Sequence, residues 1–236
     1  MKDAPSAKRP SEGCGEIYED VQSNYKFEVS TNLEDYKDSP LEVKKMKNLK
    51  ANMFNKKASD PRNKPNQIIE TIGLKSGQVI AYIGSGGGYF TLRFAEIVGE
   101  EGKVYAVDTD GKLLEFVNNN AKQKGLNNII RVLAKDKLEL PKESLDFVFM
   151  RNVTHHISNR VSYFKDLKKF LKPHGKVVII EYKKSKPFTF RGMFGHYVSK
   201  EAIVQEMEEA GYVLEKEFDF LPEQHFTIYL NKQKEV

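Results

Sequence analysis

Val79-Ile80-Ala81-Tyr82-Ile83-Gly84-Ser85-Gly86-Gly87-Gly88-Tyr89-Phe90 is the stretch on which the fold turns. An apolar run of strand length enters a turn with four glycines in five positions (84 to 88). A helical pattern follows, carrying Phe90, Phe94, Ile97 and Val98 and stopping at Gly99. Strand, glycine-rich turn and helix in succession build a ligand site at the carboxyl end of a sheet. The glycines let backbone approach a ligand closely, and the helix N-terminus favours a negative group.

The same alternation extends on both sides. Pro65 opens a short helix with Ile68, Ile69 and Ile72, closed by Gly73. Downstream, Val104 to Val107 reads as a strand ending in Asp108, and Asp110 caps a helix bearing Leu113, Leu114, Val117 and Ala121, closed by Gly125. Ile129 to Leu133 and Leu145 to Met150 are strand-like. Ser158 is expected to cap a helix carrying Val161, Phe164, Leu167 and Leu171, with Pro173 as its stop, before a fifth strand from Val177 to Tyr182. Ser199 caps a last helix with Ile203, Val204 and Met207, ended by Gly211. Five strands alternating with helices predict a parallel sheet covered on both faces. Two further strands, Tyr212 to Phe218 and Phe226 to Leu230, are separated only by a turn around Pro222 and are expected to form an antiparallel hairpin at one sheet edge.

Residues 1–58 read as an N-terminal extension with one amphipathic helix, and 59–236 as the main domain. In the extension, Ser39-Pro40-Leu41-Glu42 has the form of a capping box with proline at the first helical position. Val43, Met46, Leu49 and Met53 follow at helical spacing with Lys50 beside the stripe, a face expected to pack on the domain.

The ligand of the glycine turn is narrowed by spacing. The G-x-G-x-x-G nicotinamide fingerprint would need glycine at Tyr89 or, shifted in register, at Thr91. No Gly-Lys-Ser/Thr closes a phosphate loop. What fits is G-x-G-x-G at Gly84, Gly86 and Gly88. Here, from about Pro65 to the end, the chain resembles the class I S-adenosylmethionine-dependent methyltransferases. The resemblance implies a Rossmann-like α/β fold, a seven-stranded and mostly parallel sheet with helices on both faces. It implies S-adenosylmethionine as cofactor, with Gly84, Ser85, Gly86 and Gly88 against it. Asp108 matches the acid that holds the ribose hydroxyls, and a carboxylate suits a diol because it accepts two hydrogen bonds. Thr109 follows it. Ala134-Lys135-Asp136 is similar to the segment that meets adenine, with Asp136 as acceptor for the amino group. Arg151, closing the fourth strand, falls where the family lines the methyl-transfer pocket, and the resemblance implies that it contacts the cofactor.

One residue departs from the pattern. Tyr82 stands where the family's first motif carries an acid that engages the methionine ammonium. A lost charge-assisted bond weakens binding by on the order of 1.5–3 kcal/mol, so Tyr82→Asp is expected to tighten cofactor binding.

Methyl transfer from a sulfonium is an in-line displacement that needs alignment and water exclusion, plus a base when the nucleophile starts protonated. His155 and His156, after the fourth strand, are the candidate bases; capping and packing of the next helix is the other reading of the pair. Pro187 to Tyr197, with Phe188, Phe190, Phe194 and Tyr197, is either an acceptor lid or a loop buried by its own aromatics. Asn152-Val153-Thr154-His155 lacks the Pro-Pro-Tyr of amino-nitrogen methyltransferases. Cys14 is the sole cysteine, which excludes a cysteine nucleophile near the site, an intrachain disulfide and a cysteine-only metal cluster; no metal is expected.

The remaining acceptor class is a small molecule, aromatic or lipid-like. The alternatives are a cofactor-binding homologue with weak or lost activity, marked by Tyr82, and an RNA- or protein-modifying enzyme. For the latter, a pI near 9.0 is the sole support. The 38 basic and 33 acidic residues, net +5, form a mixed pattern rather than a basic stripe, which argues against nucleic acid. Met1 to Ser11 is polar and carries no apolar signal core, and no apolar run is long enough to span a bilayer, so a cytoplasmic location is expected. Oligomeric state leaves no trace in the sequence.

Overall fold

The computed structural model describes residues 40–135, 137–184 and 197–231, with side chains from residue 49 onward. The order is α1 (Pro40–Ser59), α2 (Pro65–Ile72), β1 (Val79–Ile83), α3 (Tyr89–Val98), β2 (Lys103–Asp108), α4 (Gly111–Gln123) and β3 (Ile129–Leu133). Then come β4 (Leu145–Arg151), α5 (Arg160–Leu167), β5 (Leu171–Tyr182), α6 (Lys200–Glu209), β6 (Tyr212–Phe218) and β7 (Gln224–Asn231). Helix α1 belongs to the same compact unit as the sheet, Ser39–Val236.

One seven-stranded sheet runs in the order β3-β2-β1-β4-β5-β7-β6. The first five strands pair in parallel, and β7 lies antiparallel between β5 and β6. The expected hairpin is thus formed and closes one edge. The strand order reverses between β1 and β4, and a crevice for ligands opens at such a switch point.

Alternation along each strand feeds two cores. Ile80 and Tyr82 of β1, Phe147 and Phe149 of β4, and Val178 and Ile180 of β5 point to one face, packed by Ile68 and Ile72 of α2 and Phe90 and Phe94 of α3. Ala81, Ile83, Val148, Met150, Val177 and Ile179 point to the other face, packed by Phe164 and Leu167 of α5 and Ile203 and Met207 of α6. Asp110 and Ser199 cap α4 and α6, accepting from Lys112 N and Ala202 N at 2.9 and 3.2 Å.

Three expectations differ from what forms. Asn159, not Ser158, caps α5, accepting from Ser162 N at 3.2 Å. That helix ends at Leu167, and after one 3-10 turn (Lys168–Phe170) the chain is already strand at Leu171. Leu171 pairs with Leu145, and the register shift between Leu145 and Phe147 absorbs Pro173 and Gly175. Proline is tolerated at such an irregularity, so Pro173 sits in the strand's irregular start rather than stopping a helix. The third difference is the face of α1. Leu49 and Met53 are exposed at 69% and 58%, whereas Ala51 is fully buried and Phe54, Asn55 and Ala58 are half-buried or nearly so. The inner face is rotated by about one residue from the apolar stripe. The side chains of Val43, Met46 and Glu42, and Ser39 altogether, lie outside the described residues.

Candidate active site

β1 delivers the chain into the glycine turn at the switch point. Gly84 and Gly88 have φ of 74° and 85°, which L side chains rarely adopt. A Cβ at either would also lie too close to a neighbour, 2.7 Å from Val153 Cγ2 and 2.6 Å from Val117 Cγ2. The amides of Gly84 and Ser85 both donate to Val107 O of β2, at 2.9 and 3.0 Å, and Gly88 N donates to Ser85 O at 3.0 Å. Asp108 locks the turn from the end of β2: Oδ2 accepts from Gly86 N at 2.8 Å and Oδ1 from Asp110 N at 3.0 Å. Burial raises the Asp108 carboxyl above its usual range, opposed by those two amides and by the Lys50 cation. Each carboxylate oxygen keeps a lone pair, the acceptor set that a ribose diol needs.

Helix α1 roofs this turn. Asn55 Oδ1 accepts from Tyr89 N at 3.0 Å, serving one of the orphan amides at the start of α3, whose own N-cap residue Gly88 has no side chain to do so. Lys50 Nζ reaches Asp110 Oδ2 at 2.9 Å. A Cβ on Gly87 would collide with the Ala51 carbonyl and the Asn55 side chain, so the third glycine of the turn makes room for the helix. Sequence reading missed Asn55; a lysine beside an apolar stripe was the one local signal that this helix meets an acidic site.

On the α3 face, the Tyr82 ring is built into an aromatic cluster. Its centroid lies 6.3 Å from Phe90, 6.4 Å from Phe94 and 4.9 Å from Phe149, each edge-on. Burial pushes its hydroxyl up to about 12, with Arg151 pulling the other way. Arg151 is itself only 8% exposed. Its guanidinium carbon sits 5.4 Å from the Phe90 centroid, and Nη2 approaches Gln224 Oε1 at 3.5 Å. Gln224 in turn donates to Asn152 Oδ1, and Asn152 holds a left-handed φ of 53° at the end of β4.

On the opposite face, Glu181 at the end of β5 is fully buried. Its Oε2 accepts from Thr154 N at 3.0 Å and Thr154 Oγ1 at 2.6 Å, and its Oε1 stands 3.0 Å from His155 Nδ1. Burial acts to raise this carboxyl, but the hydrogen bonds from His155, Thr154 and Tyr182 N outweigh it and hold it below the usual glutamate range. His155 lies in the 3-10 turn Thr154–His156, and the ring of exposed His156 is 4.1 Å away. His225, directly across from Glu181 in β7, bonds through Nε2 to Val198 O at 3.0 Å; burial lowers its pKa. Glu181 was not anticipated from sequence, since a glutamate ending a strand has no motif of its own.

The remaining candidates spread around the rim. Thr109 and Lys135 are exposed just beyond β2 and β3. Asp136 and residues 185–196 of the aromatic connection lie outside the described residues. Among the described residues, two buried polar atoms beside the turn have no hydrogen-bond partner, Ser85 Oγ and Arg151 Nε. Together with the left-handed turn and the Asp108 acceptors, these orphans fit an adenosyl group carrying a polar arm. Among the described residues no helix is long and apolar enough to cross a membrane, and no group of three His, Cys, Asp or Glu is placed to hold a metal.

The comparisons agree with this geometry. A family model described as a methyltransferase domain matches residues 74–217. A ubiquinone/menaquinone biosynthesis C-methyltransferase UbiE from Shewanella piezotolerans is 27% identical over 134 residues, 56% of this chain and 53% of that protein. The chain thus spans about half the length of such curated relatives. The crystal structure of a SAM-dependent methyltransferase from Aquifex aeolicus superposes with a TM-score of 0.67 at 23% identity, covering 83% of this chain and all of that one. Haemonchus contortus phosphoethanolamine N-methyltransferase 2, solved with phosphomonomethylethanolamine and S-adenosylhomocysteine, gives 0.57 at 17%, covering 72% and 53%. With the sheet order, the locked glycine turn and Asp108 in place, the chain belongs to the class I S-adenosylmethionine-dependent methyltransferase family.

Proposed function

We propose that this chain transfers a methyl group from S-adenosylmethionine to a small-molecule acceptor. S-adenosylmethionine is the cofactor, and the observation that carries its placement is the Asp108 carboxylate bolted to the Gly84–Gly88 turn. The cofactor supplies an electrophilic methyl carbon. The chain's own work is positioning: Asp108 holds the ribose, the turn brings backbone against the adenosyl group, and the residues that follow β4 and β5 align the acceptor. Lys135 and Asp136 serve the adenine side. His155 is the base. Donation from Nδ1 to Glu181 fixes the ring and its tautomer, and places the basic lone pair on Nε2. A base is needed only for an acceptor that must lose a proton, such as a phenol or an acidic carbon. Resemblance to C-methyltransferases of ubiquinone/menaquinone biosynthesis favours such an acceptor.

The test is a calorimetric titration with S-adenosylhomocysteine, followed by labelled methyl transfer to a panel of phenols and quinols. Asp108→Ala is expected to weaken binding at least about tenfold. His155→Asn is expected to lower kcat by about a hundredfold or more while leaving that affinity intact. Unchanged turnover in His155→Asn removes the base assignment; absence of binding in the native chain removes the whole reading.

A further inference from the structure

Among the described residues Arg151 is a buried cation without a counter-charge. Among the described residues its partners are a neutral amide at 3.5 Å and the face of Phe90, and its Nε has none. Burying an uncompensated charge is strongly unfavourable, so the arrangement points to an anion that the described residues do not provide. The surroundings keep the guanidinium pointed rather than neutralised. Gln224 is oriented by Asn152, whose own left-handed backbone is a local strain of the kind that gathers at functional sites.

Position identifies the anion. Met150 is in register with Ile83, so Arg151 stands level with Gly84, the first residue of the turn. Asp108 flanks the same turn from the β2 side. A ligand whose ribose is held at Asp108 therefore reaches the β4 side with its methionine arm, which ends in a carboxylate and an ammonium. Tyr82, paired with Phe149 in the register, lies on the same face as Arg151 and brings no charge. An acid at that position would sit beside the guanidinium and neutralise it.

We infer that Arg151 is the counter-charge of the cofactor's methionine carboxylate, and that an uncharged residue at Tyr82 keeps it available for that role. The charge logic of the subsite is thus carried by a cation for the carboxylate in place of an acid for the ammonium. A guanidinium suits the task because it offers parallel donors to a planar carboxylate. This inference rests on the adenosyl site proposed above.

The experiment compares calorimetric affinities for S-adenosylhomocysteine and for its decarboxylated analogue, which keeps the ammonium and lacks the carboxylate. In the native chain the first is expected to bind tighter by roughly ten- to a hundredfold. Arg151→Met should erase that preference by weakening S-adenosylhomocysteine alone. Gln224→Glu, which leaves Arg151 in place but gives it a carboxylate, should erase it too and covers the case in which Arg151→Met fails to fold. If the preference survives in a folded variant, or if both ligands weaken equally, the inference is overturned and Arg151 is structural or serves the acceptor. If the native chain binds neither ligand, the adenosyl reading fails, and this one with it.

Discussion

Tyr82 shows how far a single side chain's meaning depends on what surrounds it. As a departure from an acidic motif position it suggests a lost contact that aspartate would restore. In the fold its ring is one of four interlocked aromatics on the α3 face, with Arg151 beside it. Tyr82→Asp would remove that ring and bury a carboxylate against phenylalanines. We expect it to destabilise the chain by on the order of 3 kcal/mol in urea unfolding and to weaken cofactor binding by pairing with Arg151. Tyr82→Phe keeps the ring and should stay within about 1 kcal/mol of the native chain, because the hydroxyl makes no hydrogen bond among the described residues. Tighter cofactor binding by Tyr82→Asp would refute this account.

Glu181 makes the second prediction at this scale. Its folded pKa is depressed, so its stabilising contribution is present above the ordinary glutamate value and is lost as pH falls through the lowered one. Glu181→Gln removes an acceptor from several donors and is expected to lower stability by about 1–3 kcal/mol near neutral pH. The gap between native and variant urea midpoints should narrow below about pH 4.3. A gap that widens towards acid would show that another group holds Thr154 and His155 in place.

At the scale of elements, α1 is the piece whose role changes most. Its apolar stripe suggests a helix lying on the domain by Leu49 and Met53, yet those two face solvent and the contacts are made by Ala51, Phe54, Asn55 and Lys50. The helix is seated by its backbone at Ala51 and by one amide side chain, and Gly87 is the clearance for it. Gly87→Ala should therefore loosen α1, costing about 1–3 kcal/mol by overpacking. Hydrogen exchange of α1 amides should accelerate while those of β1 and β4 stay protected. Equal acceleration across the sheet would mean that the glycine serves the turn itself.

For the whole molecule, the charge balance carries a prediction of its own. The net charge of +5 is the small difference between 38 basic and 33 acidic residues, and described lysines such as Lys124 and Lys176 are paired, with Glu96 and Glu215 at 2.7 Å each. We expect no salt-dependent binding to a random-sequence RNA at low ionic strength. Affinity that falls steeply and linearly with the logarithm of salt would instead move the acceptor class towards nucleic acid.

What could be read in the chain beforehand was set by neighbours in sequence. The period of apolar residues, the glycines that admit left-handed backbone, and the caps Asp110 and Ser199 are short-range properties, and they sufficed for the alternation of strands and helices, the edge hairpin and the glycine turn. The family resemblance singled out Asp108, and the order of the strands came only with the fold. Pro173 misled because a proline's effect depends on whether the strand beside it is bulged, which is a property of the partner strand. The rest was decided by contacts across large separations: Asn55 with Tyr89, 34 residues apart, His155 with Glu181, 26 apart, and Arg151 with Gln224, 73 apart. Whether Tyr82 is an absent acid or a core ring, and whether Arg151 keeps its charge for a ligand, depends on burial and on which charges share a face. Those quantities exist only once the chain has closed on itself.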